Sequence, residues 1–147
     1  MNIANILARK GSMAVTVLPE QSIREALALL ARHNIGALVA VQGDHPVGIL
    51  SERDIVREAA RNEGFLACTV ADLMTRNVIT GQPHDDLLTV AHTMTERRIR
   101  HLPVVDQDRL IGMVSIGDVV KAQRDHYQGE VDTLQTQLLA DEGGPTH

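Results

Sequence analysis

Apolar positions along the chain switch between helical and strand-like spacing, and the same succession occurs twice. Val15-Thr16-Val17-Leu18 reads as a strand closed by Pro19. From Ser22 the residues Ile23, Ala26, Leu27 and Leu30 recur at helical spacing, with Ser22 as N-cap and Glu25 three positions on; this predicts an amphipathic helix ending near Asn34. Gly36 to Val41 is a continuous apolar run expected to be a buried strand, Gly43-Asp44-His45-Pro46 has turn chemistry, and Val47 to Leu50 is the next strand. A helix from Glu52 to about Asn62 completes a β-α-β-β-α unit.

The second unit repeats that order. A strand is predicted at Val78 to Thr80, a helix from Asp85 to Arg97, strands at His101 to Val105 and Leu110 to Val114 around an Asp106-Arg109 turn, and a last helix from Ile116 to about Ala140. Residues 3–10 form a short helical lead-in ended by Lys10-Gly11-Ser12, and Val70 to Met74 matches Ile3 to Leu7 in character, three residues out of register with the main repeat. Asn62 to Thr69 is polar and joins the halves.

Residues 15–58 align with 79–122 at an offset of 64 without a gap, as Ser51 to Ser115 shows. Ten of these 44 pairs are identical: Thr16/Thr80, Pro19/Pro83, Ile35/Ile99, Leu38/Leu102, Val41/Val105, Asp44/Asp108, Gly48/Gly112, Ser51/Ser115, Asp54/Asp118 and Val56/Val120. Average residue usage would give about three by chance, so the chain is an internal duplication. The expected class is mixed α+β, with repeat 1 and its lead-in over 1–64, repeat 2 over 65–122, and a helical extension and tail over 123–147.

Composition narrows the function classes. The 147 residues are 44% hydrophobic, enough for one compact body. Phe65 and Tyr127 are the only aromatic residues, so the core is aliphatic and the stacking platforms of single-strand nucleic-acid binders are missing. A net charge of −5 argues against duplex DNA, and any anion must be met by a local basic cluster. The single cysteine, Cys68, removes a disulfide framework, and there is no signal-like start or membrane-length apolar run; a cytoplasmic setting without membrane contact is expected. Histidines 33, 45, 84, 92, 101, 126 and 147 show no His-x-x-x-His spacing, and no phosphate-cradling glycine loop is present, so no metal site and no reaction are expected.

The carrying motifs are Gly48-Ile49-Leu50-Ser51-Glu52-Arg53-Asp54 and Gly112-Met113-Val114-Ser115-Ile116-Gly117-Asp118, with Arg100-His101-Leu102-Pro103-Val104-Val105-Asp106 before the second. Together with the order and the duplication, from residue 13 to about 122, they resemble a tandem pair of cystathionine-β-synthase (CBS) domains, the regulatory module that senses adenine nucleotides. The resemblance implies two repeats related by a pseudo-twofold axis and a stand-alone, bacterial-type sensing module. It would bind AMP, ADP, ATP or NAD in the cleft between repeats, requiring no other cofactor. Ser51 and Ser115 would contact phosphate, and Asp54 and Asp118 would accept the ribose hydroxyls. Arg100 and His101 would reach phosphates, while Gly36 and Ala37, beside Ile35, would line the adenine; Pro103 follows on the same strand. Arg53, Arg57 and Lys121 are weaker candidates, and Thr16 and Thr80 would touch ribose or base.

A serine at a helix start lies beside unpaired N–H groups and the positive dipole end, and a carboxylate one turn on can accept from both hydroxyls of a diol. Ser-x-x-Asp is equally a capping box, so each motif carries a structural reading too. The chain would then be a ligand-free dimerisation or scaffolding module. The break in the duplication at Gly36-Ala37 against Arg100-His101 predicts unequal sites. In the last helix Val120, Tyr127, Val131, Leu134 and Leu138, spaced 7, 4, 3 and 4, form a seam that outlasts the repeat and predicts a homodimer or a protein effector. Gly143-Gly144-Pro145 and the following residues are expected to be disordered.

Overall fold

A computed structural model describes residues 1–11 and 14–142; the tail from Gly143 and the Ser12 end of the lead-in lie outside the described residues. The elements are α1 (Ile3–Lys10), β1 (Thr16–Val17), α2 (Ile23–His33), β2 (Ala37–Gln42), β3 (His45–Ser51), α3 (Glu52–Ala59), a 3-10 turn at Phe65–Ala67, α4 (Val70–Leu73), α5 (Leu87–Arg97), β4 (His101–Asp106), β5 (Arg109–Ser115) and α6 (Ile116–Glu142). Helix α2 starts where Ser22 Oγ accepts the Glu25 amide and stops at Asn34, which takes the left-handed conformation (φ 52°). Its counterpart α5 starts at Asp86 and stops at Arg98, likewise left-handed at φ 54°.

The two hairpins are copies. Ala37 pairs with Ser51 as His101 pairs with Ser115, and the register slips between Ala40 and Val41 as it does between Val104 and Val105. They meet at their tips: the Leu110 amide donates to the Asp44 carbonyl at 2.8 Å, and Arg109 pairs with the Asp44 carboxylate at 3.0 Å.

The strand predicted over Val15–Leu18 is shorter, Thr16–Val17, but it does add in parallel to β2, and the Val39 amide donates to the Val15 carbonyl. The strand predicted at Val78–Thr80 does not form. Pro103 stands where Val39 stands in the first half and has no amide hydrogen to donate. Only Gly81 remains in register, as a single parallel bridge to Val104, and a Cβ there would lie 2.8 Å from both Ile3 and Leu102 side-chain carbons. The second sheet is therefore β4-β5 alone beside the three-stranded β1-β2-β3. Helix α3 also ends earlier than Asn62, because the Asn62 side chain turns back to Glu58 and accepts the Gly64 amide.

The short helices cross between halves. Helix α1 buries Ile3, Ile6 and Leu7 among Leu87, Val90, Met94, Leu102 and Val114 of the second half. Val70 and Met74, on and just after α4, sit among Val17, Ile23, Leu38 and Leu50 of the first. The seats match: the Ile3 amide donates to Asp85 and that of Ala4 to Pro83, as those of Val70 and Ala71 donate to Gln21 and Pro19. The boundaries read from the repeat are thus crossed by the packing, each half being closed by the helix that precedes the other. Helix α6 buries Val119 and Ala122 and then continues alongside α1, where Arg9 lies 3.7 Å from Asp125, with Val120, Tyr127, Leu134 and Leu138 exposed. Among the described residues no helix is long and apolar enough to cross a membrane.

Candidate functional site

Strand β3 runs directly into α3, so Ser51 is both the last strand residue and the N-cap. Its Oγ accepts the Asp54 amide at 3.2 Å, while Asp54 Oδ2 accepts the Ser51 amide at 2.9 Å and its hydroxyl at 3.0 Å. The motif is tied to the start of β2 by the Glu52 amide, which donates to the Gly36 carbonyl at 2.9 Å. The second motif repeats this: Asp118 Oδ2 accepts the Ser115 amide at 2.8 Å, Ser115 Oγ accepts the Asp118 amide at 3.1 Å, and the Ile116 amide donates to Arg100. Both motifs therefore cap helices. A cap and an anion site share the same physics, since the amides left free in the first turn still face outward with the positive end of the dipole.

A cleft of about 430 Å³ opens between the halves at the first motif. Of the residues singled out in the sequence it brings together Gly36, Ser51, Arg53, Asp54, Arg100, His101 and Ser115. The others fall elsewhere. Ala37 and Pro103 are buried, Ile35 packs against the first core, and Thr16, Thr80 and Lys121 are exposed outside the cleft lining. Asp118 lies outside it too, with its Oδ2 2.6 Å from Lys10 Nζ.

Several lining residues carried no distinct signal in the sequence. The segment after α4 is stitched to the edge of β3 by the Thr75 amide donating to Ile49 at 2.8 Å and the Ile49 amide donating back at 3.0 Å, which carries Asn77, Val78 and Ile79 over the motif. With Ile49, Ile99 and Ile116, Val78 and Ile79 make an aliphatic wall suited to the faces of a flat ring. Arg98 lines the cleft as well, delivered by its left-handed turn at the end of α5. Its alignment with Asn34, a residue that favours that conformation, was the available clue. The lining thus holds Arg53, Arg98 and Arg100 against Glu52 and Asp54, a local positive excess in an acidic chain. Among the described residues no group of His, Cys, Asp and Glu is placed to hold a metal ion.

His101 sits between the two motifs, and a Cβ at Gly36 would lie 3.9 Å from its ring. Burial holds its pKa below the usual histidine value; the neighbouring Arg100 and Lys10 act in the same direction, against Glu52 and Asp118. For Asp118 burial acts upward, but hydrogen bonds from Lys10 and Ser115 and the charge of Lys10 prevail, and its pKa is lowered.

The CBS-domain family model matches residues 12–61 and 70–125. The fold is similar to that of a CBS-domain-containing protein of Agrobacterium tumefaciens, 40% identical over 84% of this chain and 99% of that one, with a TM-score of 0.79. It is also similar to the CBS domain pair of protein MJ0100, solved with 5'-methylthioadenosine and S-adenosyl-L-methionine (31% identical, 86% of this chain and 98% of that one, TM-score 0.77). A third similar structure is a CBS domain protein of Pyrobaculum aerophilum complexed with AMP (28% identical, 80% of this chain and 89% of that one, TM-score 0.73). The chain belongs to the CBS-domain family and carries two copies of the domain.

Proposed function

We propose that this tandem CBS protein is a regulatory, non-catalytic sensor that binds an adenine nucleotide, AMP, ADP, ATP or NAD, in the cleft between its repeats. The observation that carries the reading is the convergence in one cleft of a helix start (Ser51), a diol acceptor (Asp54), Arg98 and Arg100 for phosphate, and the aliphatic wall. Structures similar to this one hold AMP or adenosine-containing sulfur compounds, which supports an adenosine ligand. The output runs through α6: its first residue, Ile116, lines the cleft, and its far half carries the exposed seam. A ligand that prefers one arrangement of the repeats shifts the direction in which that helix points, and a homodimer or a protein effector reads the shift.

Titration calorimetry with AMP, ADP, ATP and NAD tests the reading, with 5'-methylthioadenosine and S-adenosyl-L-methionine as further members of the panel. At least one adenine ligand is expected to bind in the micromolar range, about −8 kcal/mol. Silence across the panel at millimolar concentration would overturn it. A second reading has its own observation, since both Ser-x-x-Asp motifs close capping bonds and the α6 seam exposes Tyr127, Leu134 and Leu138. Under it the chain dimerises through that seam and the calorimeter stays silent.

A further inference from the structure

We propose that Lys10 makes the two motif sites unequal by occupying the diol acceptor of the second one, so that in the free molecule only the first is open to a nucleotide. The inference rests on the function proposed above. Lys10 ends α1, whose position on the second half is fixed by the burial of Ile3, Ile6 and Leu7. From there Nζ donates to Asp118 Oδ2 at 2.6 Å and to the Met113 carbonyl at 2.9 Å. The contact is partly withdrawn from water, the two side chains being 35% and 26% exposed, so it is screened less than a surface pair.

The first half shows what this site is like without the lysine. Helix α4 is seated there as α1 is on the second half, with Thr69 capping as Asn2 does, and the register that equates Asn2 with Thr69 equates Lys10 with Asn77. Asn77 lines the open cleft beside Asp54 with a neutral, shorter side chain. Among the described residues, the bonds to the Asp54 carboxylate come only from Ser51 and are taken on Oδ2. The counterpart of the Met113 carbonyl also differs in its partner: that of Ile49 accepts the Thr75 amide, whereas that of Met113 accepts the Lys10 ammonium. A ribose diol uses both carboxylate oxygens, so at the second site it must contend on Oδ2 with the charge-assisted bond from Lys10 as well as the cap, while at the first it meets on Oδ2 only the cap bonds from Ser51.

Calorimetry of the full chain with AMP, comparing wild type, Lys10→Met, Asp54→Ala and the double variant, tests this. Methionine keeps most of the aliphatic stem and removes the charge. Wild type is expected to bind one AMP per chain, with any second event at least about tenfold weaker; Lys10→Met should bind two. Asp54→Ala should lose the tight event and the double variant regain one. An unchanged stoichiometry in Lys10→Met, or the loss of an event there, would overturn the inference while leaving the sensor reading in place. No binding of AMP, or of any other member of the adenine panel, by any of the four proteins would overturn the sensor reading and the inference with it. Carboxyl NMR adds a readout that needs no ligand: the Asp118 titration should move upward in Lys10→Met, and an unmoved one would show that the pair does not form in solution.

Discussion

The two halves differ least where backbone meets backbone and most where side chains face the cleft. The amides of Glu52 and Ile116 donate to Gly36 and Arg100 at 2.9 and 2.8 Å, and each motif closes the same capping bonds. Around that shared frame Gly36-Ala37 faces Arg100-His101, Glu52 faces Ile116, and Asn77 faces Lys10. Main-chain bonds need no particular side chain, so a duplication keeps them while its edges diverge. Pro103 is the instructive exception, since there a side-chain change removed a donor and with it a strand. The halves are alike in fold and unlike in what they offer a ligand.

The largest expected effect tests whether the crossed helices close the halves separately. Ile3 and Val70 are both fully buried, one in each core. Ile3→Ala should destabilise the chain by about 2–5 kcal/mol and Val70→Ala by somewhat less, since fewer methyl groups are removed. Equilibrium urea unfolding measures the totals, and amide exchange locates them. Ile3→Ala should release protection first in β4-β5, and Val70→Ala first in β2-β3. Equal loss over both hairpins in either variant would mean that the cores are one cooperative unit and the comparison between halves is only geometric.

These helices also show where the sequence stops being legible. The hairpins and the helices α2, α3 and α5 follow from local periodicity and a 64-residue offset, and the repeat itself certified them. Helix α1 and the Val70 segment were recognisable as related, three residues out of register, but nothing local says that each packs on the half it does not precede. The Lys10 contact to Asp118 spans a separation of 108 residues and depends on that crossing. In the cleft, the motif residues and Arg100-His101 were readable because they repeat, or conspicuously fail to. Val78 and Ile79 were read as strand, and Arg98 was not singled out. What moved them into the cleft lining was the missing Pro103 donor and a left-handed turn, both tertiary consequences.

An intermediate effect sharpens the contrast at the strand starts. If Arg100 meets a phosphate in the cleft, Arg100→Ala should weaken AMP binding by about ten- to a hundredfold, the equivalent of a charge-assisted bond of about 1.5–3 kcal/mol. Adenosine, which has no phosphate, should bind both proteins alike. Gly36 occupies the corresponding place in the first half and offers no such contact, so the loss should fall on one event in the calorimeter. Equal loss for adenosine and AMP would make Arg100 a structural residue.

The smallest effect concerns pH and sets His101 against its counterpart Ala37, which cannot titrate. Because the folded-state pKa of His101 is lowered, the unfolded chain binds a proton more readily than the folded chain in the window just below the ordinary histidine value. Stability from this group is therefore complete above about pH 6.5 and declines as pH falls through the window toward the folded-state pKa. Asp118, also lowered, adds a loss of the same sign in a separate, more acidic window, below the ordinary aspartate range. Urea midpoints between pH 8 and 5 should fall for the wild type, and His101→Gln should remove the part due to this group; the Asp118 loss lies below that range and should be shared by both proteins. A bound phosphate would oppose the shift, since an anion stabilises the imidazolium, so saturating AMP should reduce the difference between wild type and His101→Gln. If the two proteins lose stability in parallel with and without AMP, the burial of His101 has no energetic consequence, and the second strand start differs from the first by Arg100 alone.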